Sequence, residues 1–140
     1  MEFGELLKQF LIDLQCLFRT KLMHLNLTLP QIILISSIPS NGIDMTSLSK
    51  KIGIDNSTLT RLIRILLKNA IVEKTANPKD KRSIIVSLST KGESLQLNIE
   101  KEIDLFISAL YKNIPMENRE ELKESLSGFH WAVTKHKLEL

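Results

Sequence analysis

The chain has 140 residues, 43% hydrophobic and 25% charged, the size and composition of one soluble globular domain with at most an appendage for self-association. No apolar run reaches the roughly 18 residues of a membrane span, the acidic start Met1-Glu-Phe-Gly-Glu5 does not read as a signal peptide, and the single cysteine, Cys16, excludes an internal disulfide framework and fits a reducing cytoplasm. The net charge of +3 is uneven: between Ile43 and Gly92 ten Lys/Arg against four Asp/Glu leave +6, while the flanks together carry −3, the pattern of a polyanion-binding centre held between segments with another task.

The elements follow in chain order. From Phe3 to about His24, Phe3, Leu6, Phe10, Leu14 and Leu17 recur at three- and four-residue spacing, which predicts a helix. Ile12, Cys16 and Met23 form a second, thinner apolar line. A helix apolar on two sides is buried on two sides, which points to a partner chain. Thr28 to Ile38 reads as a short apolar helix with Pro30 in its first turn, and Pro39 to Gly42 as a turn. Asp44 then caps a helix reaching about Lys51, and Asp55 caps another reaching about Lys68. Ile43 and Ile54 stand where they can staple onto Leu48 and Leu59. The tight link Ile52-Gly53-Ile54 joins the pair, so the two make a helix-turn-helix.

Ile71–Thr75 and Ser83–Leu88 read as strands around the turn-rich Ala76–Arg82, a hairpin with a basic tip. Ser89 is placed to cap a long helix from Thr90 to about Lys112. After Pro115 a last helix runs from about Glu117 to His136, with Leu122, Leu126, Phe129 and Val133 on one face. The expected fold class is therefore mainly α with a small β-hairpin, an α+β winged helix-turn-helix.

Two groups of residues stand out. On the second capped helix, Ser57, Arg61, Arg64 and Lys68 project opposite the apolar face, with Thr58 and Thr60 at its margins. Arg bonds guanine O6 and N7 bidentately, while hydroxyls reach phosphates or base edges. At the hairpin tip, Lys79, Lys81 and Arg82 stand where a wing meets a minor groove or phosphates. Asp80 is two residues before Arg82, in position to pair with its guanidinium and set its direction. The plainer alternatives are a solvated helix face and a solubilising turn. The neighbouring capped helix and basic hairpin favour the nucleic-acid reading.

Asn77-Pro-Lys-Asp-Lys-Arg-Ser-Ile-Ile-Val-Ser-Leu-Ser-Thr-Lys-Gly92 closely resembles the wing of the MarR (multiple antibiotic resistance regulator) family, whose pattern is Asp-x-Arg, an apolar strand, then Leu-Ser/Thr-x-x-Gly. Ser57-Thr-Leu-Thr-Arg-Leu-Ile63 is similar to that family's recognition-helix core, and Leu27-Thr-Leu-Pro-Gln31 to the opening of its second helix. The resemblance covers essentially the whole chain. It implies a homodimer whose first and last helices interlock: residues 1–27 and 93–140 as the dimerisation region, and 28–92 as a winged lobe on double-stranded DNA. Arg82 would then be the wing-tip arginine with Asp80 its partner, and Ser57, Thr58, Thr60, Arg61 and Arg64 would face the major groove. It further implies a transcriptional regulator, a repressor on a pseudo-palindromic operator relieved by a small-molecule effector. Where the family has glycine after the recognition helix this chain has Asn69-Ala70, and Asn69 is expected to supply the left-handed cap.

Some relatives sense peroxides through a cysteine in the first helix. Cys16 stands too close to the Leu27–Gln31 landmark to match that position, and the one tyrosine, Tyr111, is far off in sequence. The alternatives are a packed or interface thiol and a redox-sensing one. His24, His130 and His136 have no metal-ligand spacing, and no nucleophile elbow, phosphate loop or carboxylate pair is present. Neither an enzyme nor a metal or other cofactor is expected. The competing class is a winged helix that binds protein and has no operator of its own.

Overall fold

The computed structural model describes residues 1–140. Six helices and three short strands follow one another as α1 (Phe3–Leu22), a 3-10 turn (Met23–Leu25), α2 (Leu29–Ser37), β1 (Ile43–Asp44), α3 (Met45–Ile52), α4 (Asn56–Lys68), β2 (Val72–Ala76), β3 (Ile84–Leu88), α5 (Thr90–Tyr111) and α6 (Met116–Leu138). None of the helices is long and apolar enough to cross a membrane. The chain divides into two units, Met1–Ile103 and Asp104–Leu140.

The starts of α2, α3, α4 and α5 are set by side chains close in sequence. Thr28 accepts from the Gln31 amide, and Gln31 Oε1 accepts from the Thr28 amide, closing a capping box ahead of α2. Asp44 accepts from the Ser47 amide and Asp55 from the Thr58 amide, so both expected aspartate caps are formed. Ser89 Oγ accepts from the Gly92 amide at the start of α5. Between α3 and α4, Gly53 adopts φ 72° and its amide bonds Ser49 O, the left-handed cap for which glycine has no steric penalty.

The end of α1 differs from the expected continuous helix to His24. It tightens into the 3-10 turn and stops at Asn26, which is left-handed at φ 57°. The end of α4 differs in a second way. Asn69 has φ −89°, and the left-handed residue is Ala70 at φ 58°. The Ile71 amide bonds Leu66 O at 2.9 Å and the Ala70 amide bonds Leu67 O at 3.0 Å, a Schellman pair with buried Ile71 against buried Leu66. The reach of these two bonds places the left-handed residue one position later than Asn69.

The sheet has order β1-β3-β2, antiparallel throughout, with Val72 opposite Leu88 and Ala76 opposite Ile84. The hairpin was legible in the sequence; β1 was not. It is two residues long and pairs Ile43 with Val86 and Asp44 with Ile85, tying the base of the hairpin to the start of α3. Gly42 permits this approach: it has φ 81°, and a Cβ there would lie 2.8 Å from Ile85 Cγ2.

The core of the first unit joins Leu34, Ile35 and Ile38 of α2 and its flank, Leu48 of α3, Leu59, Ile63 and Leu66 of α4, Val86 of β3 and Ile99 of α5. Gln96 on α5 donates to both Ile35 O (2.9 Å) and Ile38 O (3.0 Å), satisfying carbonyls that the end of α2 leaves open. The N-terminal half of α1 contributes little: Phe3, Leu6, Leu7, Phe10, Leu11 and Ile12 are all exposed. In the second unit α6 is likewise uncovered at Leu122, Leu126, Trp131 and Val133. Each face far exceeds the scattered exposed apolar residues of an ordinary surface.

Candidate nucleic-acid interface

Helix α4 is amphipathic because Leu59, Ile63 and Leu66 recur at four- and three-residue intervals and are fully buried. The opposite face is thereby turned to solvent, with Ser57, Arg61, Arg64 and Lys68 exposed and Thr58 and Thr60 half-buried at its edges. No ion pair engages Arg61, Arg64 or Lys68, so their charges are open to an incoming anion. α3 precedes this helix across the Gly53 turn, completing the helix-turn-helix. Two other lysines of the basic stretch serve the fold: Lys51 Nζ donates to Ser37 O and Lys91 Nζ to Asn69 O, each at a helix C-terminus, where a cation is favoured.

The first turn of α4 holds a polar cluster whose extent the sequence did not reveal. Asp55 is more than a backbone cap. Its Oδ1 accepts from Ser57 Oγ at 2.7 Å and its Oδ2 from Thr58 Oγ1 at 3.1 Å. These bonds, led by the Ser57 hydroxyl and followed by the Thr58 amide and hydroxyl, hold its carboxyl down at about 2. Asp44 is also shifted down, first by the Ser47 hydroxyl and then by the Ser47 amide. On the same face of α4, Thr60 Oγ1 donates to Asn56 O at 2.7 Å.

The hairpin tip carries Lys79, Lys81 and Arg82, all exposed. Its shape comes from two successive Asx turns. Asn77 Oδ1 accepts from the Lys79 amide at 3.0 Å, and Asp80 Oδ1 accepts from the Arg82 amide at 2.9 Å. Asn77 Nδ2 also donates to Ser83 Oγ across the loop. The expected Asp80–Arg82 ion pair is absent. A short carboxylate two residues back reaches the backbone N–H more readily than the end of a long side chain. Asp80 therefore shapes the loop that displays Arg82 and leaves the guanidinium unpaired.

Cys16 lies exposed on α1, along a shallow surface shared with Ile12, Gln15, Arg19, Thr20 and Met23. A separate apolar groove of about 270 Å³ runs between α1 and α2, lined by Leu11, Leu14, Gln15, Phe18, Leu29 and Ile33. The histidines do not converge. His24 lies 3.4 Å from Glu102, His136 lies 3.9 Å from Glu139, and His130 approaches Thr134.

Residues 27–84 match the MarR family model, a span that holds α2 to α4, β2 and the basic tip. The chain is 28% identical over 88 residues to the uncharacterized HTH-type transcriptional regulator YdgJ of Bacillus subtilis, a match covering 63% of this chain and 54% of that protein. The chain thus spans about half the length of that relative. The crystal structure of wild-type MarR from E. coli superposes with a TM-score of 0.84 at 25% identity, covering 92% of this chain and 96% of the other. An S. aureus MepR–DNA complex shares the fold with a TM-score of 0.74 at 17% identity, over 94% and 98% of the two chains. From the second helix to the wing the chain thus carries a segment that matches the MarR family, and along nearly its whole length it shares the MarR winged helix-turn-helix fold.

Proposed function

We propose that this chain is a sequence-specific double-stranded-DNA-binding transcriptional regulator that acts as a homodimer. The observation that carries the reading is the solvent face of α4. Arg61, Arg64 and Lys68 are exposed without acidic partners, beside the Ser57 and Thr58 hydroxyls and on a helix of the width a major groove admits. The basic hairpin tip supports it, as does the +6 carried by residues 43–92. So does a relative of the same fold solved with DNA.

Residues 28–92 form the DNA-binding lobe in this reading, and residues 1–27 and 93–140 the dimerisation region. The uncovered apolar faces of α1 and α6 support self-association, since faces of this kind are otherwise costly in water. Two-fold symmetry sets the recognition helices about 34 Å apart, one turn of B-DNA, on a pseudo-palindromic operator. Ser57, Thr58, Thr60, Arg61 and Arg64 meet the major groove, while Lys79, Lys81 and Arg82 meet the backbone or the adjacent minor groove. The activity is repression, relieved when a small apolar effector enters the α1–α2 groove and favours a lobe spacing that no longer fits the operator.

The test is selection of duplexes from a random pool by the wild-type protein, followed by titration of the selected duplex with variants. Arg61→Ala lowers affinity about tenfold or more and relaxes one base position. Arg82→Ala weakens binding to all duplexes alike and lowers the salt slope by about one. Full affinity in both variants, or no salt-dependent duplex binding by the wild type, overturns the reading in favour of a protein-binding winged helix.

A further inference from the structure

The hydroxyls of α4 are polarised. A carboxylate and a backbone carbonyl only accept, so each hydroxyl bonded to one must donate its single proton there. Ser57 and Thr58 give theirs to Asp55, and Thr60 gives its own to Asn56 O. What remains for a ligand on all three is oxygen lone pairs. Asp55 is itself solvent-exposed and ionised across the neutral range, as any exposed aspartate is, and the same bonds hold its carboxyl lower still, near 2. The hydroxyls on the first turn of α4 are thus acceptors, whereas Arg61 and Arg64, one and two turns on, bring only donors.

We infer that Asp55 is a positioning residue for base readout: by holding the Ser57 and Thr58 protons it makes the first turn of α4 accept hydrogen bonds from exocyclic amino groups, adenine N6 or cytosine N4, in the major groove. This rests on the DNA-binding reading and deepens it. Guanine O6 and N7 and thymine O4 are acceptors. They face like lone pairs at this turn and are left to the arginines. A hydroxyl free to rotate would take either kind of base edge, so the selectivity comes from the carboxylate behind it. Phosphate oxygens, also acceptors, gain no hydrogen bond from these hydroxyls.

The experiment uses the full-length protein and the duplex it selects from a random pool. Ser57→Ala identifies the base pair that Ser57 contacts, as the position whose preference relaxes. At that pair the amino group is deleted, adenine being replaced by purine or cytosine by 2-pyrimidinone. The wild type is expected to lose about fivefold in affinity, the effect of one neutral hydrogen bond, and Ser57→Ala is expected to be unaffected by the same deletion. Asp55→Asn retains a good helix cap, verified by its melting curve. It should narrow the discrimination at this pair while preference at the position read by Arg61 persists. A purely structural role for Asp55 would instead weaken all positions together. Loss on deleting the keto oxygen in place of the amino group, no position relaxed by Ser57→Ala, or uniform weakening in Asp55→Asn overturns the inference while DNA binding stands. Failure of the pool to converge on any duplex overturns both.

Discussion

Ala70 offers a direct measurement of backbone strain at the end of α4. It sits at φ 58°, where an L-residue's Cβ crowds the following carbonyl at a cost of roughly 1–2 kcal/mol. Its side chain is exposed, so removing the methyl sacrifices little packing. Four hydrogen bonds hold the segment in place: Ala70 N to Leu67 O, Ile71 N to Leu66 O, Ser89 Oγ to Ala70 O at 2.6 Å and Lys91 Nζ to Asn69 O. Ala70→Gly relieves the strain but frees the unfolded chain by about 0.4–1 kcal/mol. Taken at their midpoints the two effects leave a stabilisation of about 0.8 kcal/mol, seen as a rise in Tm of about 3 °C for a chain of this size. Gly53 provides the mirror experiment. It has φ 72° with open space where a Cβ would stand, so Gly53→Ala should lower stability by about 1 kcal/mol through conformation alone. Circular dichroism melts and urea titrations at one matched protein concentration read both effects, with an unchanged m-value showing that the unfolding transition is the same. A melting temperature that falls or does not move in Ala70→Gly, with Gly53→Ala destabilised, would refute the assignment of strain to residue 70.

Gly92→Ala acts where the chain has no room: a Cβ there would overlap Ile71 O and sit 3.1 Å from Leu88 Cδ2. Backbone must shift, and urea unfolding should report a loss of about 1–3 kcal/mol; an unchanged midpoint would contradict the close approach of α5 to the start of β2. Stability should also depend on acid pH. Asp55 has a folded pKa of about 2, below its ordinary 3.8, and Asp44 is shifted in the same direction. A lowered folded pKa gives a contribution fully present above the unfolded value and lost as protons bind the native carboxylate. The urea midpoint should therefore fall as pH drops from about 4 towards 2, and Asp55→Asn should flatten part of that fall. An identical pH profile in the variant would show that the carboxylate is not held as described.

Much of this fold is written in short-range chemistry. Asp44, Asp55 and Ser89 each cap an amide three residues on, so the starts of α3, α4 and α5 could be placed from the chain alone. The apolar spacing of Leu59, Ile63 and Leu66 likewise determined which side of α4 faces solvent, and with it the candidate interface. The turn-rich Ala76–Arg82 between two strand-like segments determined the hairpin. Tertiary structure decided the rest. β1 exists because two residues reach β3 more than 40 positions away, and two residues carry no periodicity. Gln96 finds Ile35 O and Ile38 O across some 60 residues. The left-handed residue after α4 is Ala70 because the bonds to Leu66 and Leu67 demand it there, against local preference for Asn69. The choice of the Arg82 amide by Asp80, and of the Ser57 and Thr58 hydroxyls by Asp55, turned on side-chain geometry rather than residue type. Sequence by itself determined what lies within one turn of each residue, because those distances are set by the helix and the cap. Only the folded chain decided where distant atoms meet, since many partners are chemically equivalent until packing brings one within 3 Å or so.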